Sequence, residues 1–102
     1  MTVNRISPSE LILLQQKKSD LLLIDLRENY ELEIDGKMDY SIHIPLGEMV
    51  DRLDELTSDR PVIFHCSSGK RSESFLNFLI LNDLYKENYL NLDGGYHAIS
   101  IL

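Results

Sequence analysis

Cysteine, proline and tryptophan are all scarce in this chain: of 102 residues one is Cys, three are Pro and none is Trp. A single thiol cannot close an intramolecular disulfide, so the fold must rest on packing and hydrogen bonds. Basic residues are also few, ten Lys and Arg against seventeen Asp and Glu, for a formal net charge of −7. A surface of that sign argues against nucleic acid or an anionic membrane as partner. No apolar run approaches the roughly 20 residues that span a bilayer. The N-terminal stretch Met1-Thr2-Val3-Asn4-Arg5-Ile6-Ser7-Pro8 lacks the apolar core of a signal peptide. The expected location is therefore the cytoplasm, where a lone thiol stays reduced. One cysteine and three scattered histidines, His43, His65 and His97, form no recognisable metal site.

What is present is an ordinary globular composition, 43% apolar and 26% charged, at a length that suits one domain over residues 1–102. Ser7-Pro8-Ser9-Glu10 opens a helix: Ser7 caps, Pro8 suits the first helical position, and Glu10 completes a capping box. Leu21-Leu22-Leu23-Ile24 and Val62-Ile63-Phe64 are short continuous apolar runs, the signature of strands buried on both faces. Ser41 to Pro45 reads as a short strand stopped by proline, and Leu46 to Leu56 has helical spacing. Ser72 to Leu84 is expected to be a largely buried helix, Tyr89 to Leu92 a strand, and Tyr96 to Leu102 a last helix. The acidic segment from Glu28 to Asp39 is weakly patterned, and Glu28, Glu31, Glu33 and Asp35 read as a solvated face. Strands alternating with helices imply an α/β fold in three layers, a mostly parallel sheet with helices on both faces. Active sites of such folds lie at the carboxyl ends of the strands.

The one cysteine stands at such an end, in Val62-Ile63-Phe64-His65-Cys66-Ser67-Ser68-Gly69-Lys70-Arg71-Ser72. A thiol between a buried strand and a following helix faces backbone N–H groups and the positive end of a helix dipole. Both favour the reactive thiolate. Lys70 and Arg71 add positive charge that could attract an anionic substrate; the alternatives are solvated charge or, for Arg71, a structural pair with a carboxylate. Gly69 fits a backbone shape that other residues resist, and Ser67, Ser68 and Ser72 read as loop-formers and a helix cap. His65 neighbours Cys66, but adjacent strand residues face opposite sides, so it reads as a packed histidine rather than the base of a Cys–His dyad.

The loop Cys66 to Ser72 resembles the active-site loop of single-domain rhodanese-like sulfurtransferases. Leu23-Ile24-Asp25-Leu26-Arg27-Glu28, Ser41-Ile42-His43-Ile44-Pro45-Leu46, and Leu92-Asp93-Gly94-Gly95 with Ala98 resemble three further segments of that family, in the same order and over nearly the whole chain. The resemblance implies a rhodanese-like fold, no cofactor, and a persulfide formed at Cys66 from thiosulfate or another sulfane-sulfur donor. A thiol, cyanide or a protein would then accept the sulfur. Asp25 and Arg27, two apart and expected to point the same way, are implied to brace the site. Two departures concern the walls of the site: Gly36-Lys37-Met38-Asp39-Tyr40 replaces the family's Gly-His-Ile-Pro-Gly, and Ile99 stands where a tryptophan usually follows the alanine.

Other activities are known on this fold. Phosphatases and arsenate reductases place five residues between cysteine and arginine, whereas four, Ser67 to Lys70, separate Cys66 from Arg71. The shorter cradle suits a sulfane sulfur better than a tetrahedral phosphate or arsenate. A third reading is a persulfide carrier or a binding or regulatory module in a sulfur relay. With no second cysteine in the chain, any persulfide must be discharged to an external acceptor.

Overall fold

The computed structural model describes residues 1–102. It alternates strands and helices: β1 (Asn4–Ile6), α1 (Pro8–Gln16), β2 (Leu22–Asp25), α2 (Asn29–Asp35), β3 (Ile42–His43), α3 (Leu46–Met49) leading into a 3-10 segment (Val50–Glu55), β4 (Val62–His65), α4 (Lys70–Leu81), β5 (Tyr89–Leu92) and α5 (Gly95–Ser100). The five strands form one sheet in the order β1-β5-β4-β2-β3, and every neighbouring pair is parallel.

The apolar runs form the middle of the sheet because their alternate side chains enter two different cores. Ile24, Val62 and Phe64 join Phe75, Leu76 and Leu79 of α4 in a cluster of 11 buried residues. Leu23 and Ile63 turn the other way, into a cluster of 6 with Leu11 of α1, Leu92 and Met38. A strand sealed on both faces has no solvated side to carry polar residues, hence the continuous runs. All strands run the same way, so their carboxyl ends share one edge. The register places Asp25 beside His43 on one side and His65 on the other.

Local signals behaved as expected at α1. Ser7 Oγ accepts from the Glu10 N–H, and the Glu10 carboxylate accepts from the Ser7 N–H. Several element ends differ from expectation. α4 begins at Lys70, not Ser72, because Gly69 takes a left-handed turn at φ 91° and starts the helix two residues earlier. The stretch 46–56 tightens from α-helix to 3-10 geometry at Val50. β1 was not anticipated: it is an edge strand of three residues, of which only Ile6 is buried, so no periodicity marks it.

Candidate active site

All five buried polar or charged residues, Asp25, Arg27, His65, Ser72 and Asn91, lie at the carboxyl edge of the sheet or in the first turn of α4. Burying such groups is unfavourable unless they find partners, so their gathering around Cys66 is a feature to be accounted for.

Cys66 directly follows β4 and is 1% exposed. Its Sγ accepts from the Gly69 N–H at 3.2 Å and lies 3.6 Å from the Ser72 hydroxyl. Burial pushes the thiol up, but the N–H and hydroxyl of Ser72 and the N–H groups of Gly69 and Arg71 outweigh it. The net effect leaves Cys66 easier to ionise than an ordinary cysteine. The positive end of α4 acts in the same direction.

The cradle keeps its shape because the Gly94-Gly95 turn presses against it. The Tyr96 N–H donates to the Cys66 carbonyl at 2.8 Å and the His97 N–H to the Ser67 carbonyl at 2.9 Å. A β-carbon on Gly95 would stand 2.5 Å from the Cys66 carbonyl oxygen and 2.8 Å from the Gly69 nitrogen, so only glycine permits this approach.

The remaining loop residues differ in surroundings. Ser67 is half-buried, Ser68 and Lys70 are exposed, and Gly69 is buried. Ser72 is not the cap of α4: with Gly69 at the cap it falls in the first turn, where its hydroxyl faces Cys66 and Asn91. Arg71 holds Glu31 of α2 through two hydrogen bonds of 2.9 and 2.7 Å. Of the two uses open to that guanidinium, the carboxylate pair is the one formed. Glu31 is accordingly no member of a solvated face: the Arg71 guanidinium, outweighing burial, holds its carboxyl down at about 2.

Asp25 and Arg27 meet, though not because a strand aligns them. β2 ends at Asp25, and the chain turns so that Asp25 Oδ1 accepts both the Arg27 N–H and its Nε–H at 3.0 Å. Arg27 also donates to Asp25 Oδ2 and to the Gly36 carbonyl, each at 2.9 Å, and its guanidinium stacks 4.1 Å from the centre of the Tyr96 ring. Both side chains are fully buried. Burial raises the Asp25 carboxyl, the hydrogen bonds and charge of Arg27 lower it, and the net direction is down. His65 is buried and held below its ordinary range by desolvation, so it stands neutral at pH 7, with Nδ1 3.4 Å from the Cys66 carbonyl and Nε2 3.8 Å from Asp25. His43, with no role expected, has Nε2 2.6 Å from the Arg27 carbonyl.

Three participants escape a reading of the sequence: Glu31, Tyr96 and Asn91. For Asn91 a signal existed, a polar residue inside the buried strand Tyr89-Leu90-Asn91-Leu92. The two departures from the family pattern turn out to be neighbours. Lys37, Met38, Asp39 and Tyr40 line one hollow of about 360 Å³ with Tyr96 and Ile99, and none of the cysteine-loop residues lines it.

Comparison with known proteins agrees with this architecture. The Allochromatium vinosum protein named sulfurtransferase is 30% identical over 96 residues, covering 94% of this chain and 87% of that one. YtwF of Bacillus subtilis is also 30% identical, over 98 residues that cover 96% of this chain and 91% of that one. A crystal structure of a rhodanese-related protein from Thermoplasma volcanium superposes with a TM-score of 0.79 at 26% identity, covering 96% and 91% of the two chains. Residues 7–101 match the rhodanese-like domain, and the chain belongs to that family.

Proposed function

We propose that Cys66 accepts sulfane sulfur from thiosulfate or another persulfide donor and passes it to a thiol, cyanide or a protein acceptor. The observation that carries this reading is the cradle itself: an easily ionised thiolate held by the Gly69 N–H at 3.2 Å at the start of α4. The thiolate attacks the outer sulfur of the donor, an S–S bond forms, and the donor's old S–S bond breaks. Sulfite, or the donor's thiolate, leaves with that electron pair. The anionic persulfide replaces the thiolate among the same N–H groups, so one set of donors serves both states. A nucleophile then attacks the terminal sulfur and regenerates the Cys66 thiolate.

Burial of Cys66 to 1% exposure favours a slim sulfur over a bulky phosphate ester, as does the four-residue spacing to Arg71. Arg71, being paired with Glu31, supports the loop, and its fork does not lie open for an oxyanion. Asp25 and Arg27 brace the strand ends beneath it. The chain holds no other cysteine to resolve the persulfide, so the acceptor is external, and a reducing compartment such as the cytoplasm suits the free thiol.

Intact-mass measurement after thiosulfate treatment tests the proposal. Wild type should gain the mass of one sulfur atom and Cys66→Ser none. An unmodified wild type that also yields no thiocyanate with cyanide would overturn it, and aryl-phosphate turnover lost in Cys66→Ser would point to phosphatase chemistry instead.

A further inference from the structure

The Ser72 hydroxyl has one proton and three acceptors within reach: Asn91 Oδ1 at 2.5 Å, the Gly69 carbonyl at 3.2 Å and Cys66 Sγ at 3.6 Å. Accounting for the neighbours removes one of them. The Gly69 carbonyl already accepts from the Glu73 N–H at 3.1 Å and from Asn91 Nδ2 at 3.4 Å, which fills its two lone pairs. The contest is between Asn91 and Cys66.

The orientation of the Asn91 amide decides which of them holds the proton. Its Nδ2 faces two groups that can only accept, the Gly69 carbonyl and the Asp93 carboxylate at 3.2 Å. Turning the amide over would set oxygen against both, so Oδ1 is fixed toward Ser72, where it requires a donor. Asp93 is itself held by Arg5 at 2.9 Å, and Arg5 also pairs with Glu73 of α4. Asn91 and Ser72 are both buried, so no water competes for these bonds.

We infer that Asn91 is a positioning residue that claims the Ser72 proton from Cys66 and thereby sets how readily the thiol ionises. While Cys66 is protonated, the Ser72 hydroxyl points to Asn91. When Cys66 ionises, its proton leaves to solvent. The hydroxyl can then rotate to the thiolate, or to a bound persulfide, only by breaking its bond to Asn91 and leaving a buried acceptor bare. Asn91 therefore offsets part of the help that the Ser72 hydroxyl gives the thiolate, whereas the loop N–H groups give theirs unopposed. The proposal deepens the sulfur-transfer reading and rests on it for its catalytic meaning, but its test needs no sulfur donor.

The charged groups around the Cys66 loop are Arg71 with Glu31, Asp25 with Arg27, Asp93 with Arg5 and Glu73, and the exposed Lys70, with His65 beside Asp25, and the substitutions below replace none of them. The measurement is the Cys66 pKa, from thiolate absorbance and from alkylation rate against pH. In Asn91→Leu the hydroxyl is free to serve the thiolate, and the pKa should fall by about 1 pH unit, the scale of one hydrogen bond to a charged group. Asn91→Ala removes the same oxygen without adding bulk and should show the same fall if the leucine variant does not fold. In a Ser72→Ala background either substitution should leave the pKa unchanged.

A merely structural role for Asn91 would not vanish with the Ser72 hydroxyl. A pKa that rises or holds still in Asn91→Leu and Asn91→Ala, or falls equally without Ser72, overturns the inference. In the unmodified protein the Asn91 side-chain amide resonances should move with the Cys66 titration midpoint, and resonances that stay fixed would also overturn it. A failure here leaves the mass gain from thiosulfate untouched, so the two readings fail separately.

Discussion

Asp25–Arg27 and Glu31–Arg71 are both forked arginine–carboxylate pairs near the cysteine loop, yet water reaches only one of them. The side chains of Asp25 and Arg27 are fully buried, with the Gly36 carbonyl and the Tyr96 ring completing the shell around the guanidinium. Glu31 is 15% exposed and Arg71 40%. The first pair is local in sequence, two residues apart, and fixes how the chain leaves β2. The second joins residues 40 apart and ties α2 to the first turn of α4. A dry pair adds little net stability over apolar residues of the same size, but it cannot be half removed without leaving a bare charge. A wet pair is weaker and adjustable by pH and salt. The dry pair thus makes the site's frame rigid, and the wet one leaves the loop's outer tie responsive to its surroundings.

Breaking the dry pair should have the largest effect on this contrast. Asp25→Asn leaves Arg27 as a buried cation whose Nη1 already lacks a partner, and should cost about 3–5 kcal/mol in urea unfolding. Replacing both partners, Asp25→Leu with Arg27→Met, should recover a good part of that loss, because neither charge is then left over. If Asp25→Asn loses no more than a surface substitution, the pair is not dry in solution and the contrast collapses.

Glu31→Gln should cost less, about 1 kcal/mol, since Arg71 keeps water on one side. Its pH dependence sharpens the comparison. The Glu31 carboxyl sits at about 2 when folded, against roughly 4.3 in an unfolded chain. A folded value below the unfolded one gives stability that is complete above the unfolded pKa and is lost as pH falls. The gap between wild type and Glu31→Gln should therefore be full at neutral pH and close between about 4.3 and about 2. A gap that persists below that window would mean Glu31 supports α2 by some route other than its charge.

The same contrast explains what the sequence reveals and what it hides. Ser7-Pro8-Ser9-Glu10 announces its helix because the capping box closes within four residues, and Val62-Ile63-Phe64 announces its strand because burial on both faces permits nothing but apolar side chains. The cysteine loop is equally plain, being continuous in the chain. Glu31 is hidden because its identity as a tie depends on Arg71, 40 residues away, and an isolated Glu in an acidic stretch reads as solvated. Asn91 stands out as a polar residue in a buried strand, but its role is hidden for the same reason, its partner Ser72 lying 19 residues back. β1 pairs only with β5 from the far end of the chain, so nothing within Asn4-Arg5-Ile6 can reveal it. The start of α4 was misplaced because Gly69 reads as a loop residue until its left-handed turn against Leu92 and Gly94 is seen.

Lys70 gives the smallest expected effect and the finest test of the wet side. Arg71, beside it in α4, is neutralised by Glu31, whereas Lys70 is exposed and forms no ion pair, so it is the loop's free cation. On a chain of net charge −7, a dianionic donor is repelled at a distance and gains from any local positive charge. Under the sulfur-transfer reading, Lys70→Ala should lower kcat/KM for thiosulfate roughly threefold at low ionic strength, an attraction of under about 1 kcal/mol between exposed charges. The difference should fade near 0.15 M salt, where screening acts over about 8 Å, and an uncharged sulfane-sulfur donor such as an organic trisulfide should show no difference at any salt. Stability should stay within about 0.5 kcal/mol of wild type, since the side chain is exposed and forms no ion pair. A loss that salt does not relieve would mean that Lys70 touches the donor rather than drawing it in, and that the wet side of the loop is as fixed as the dry one.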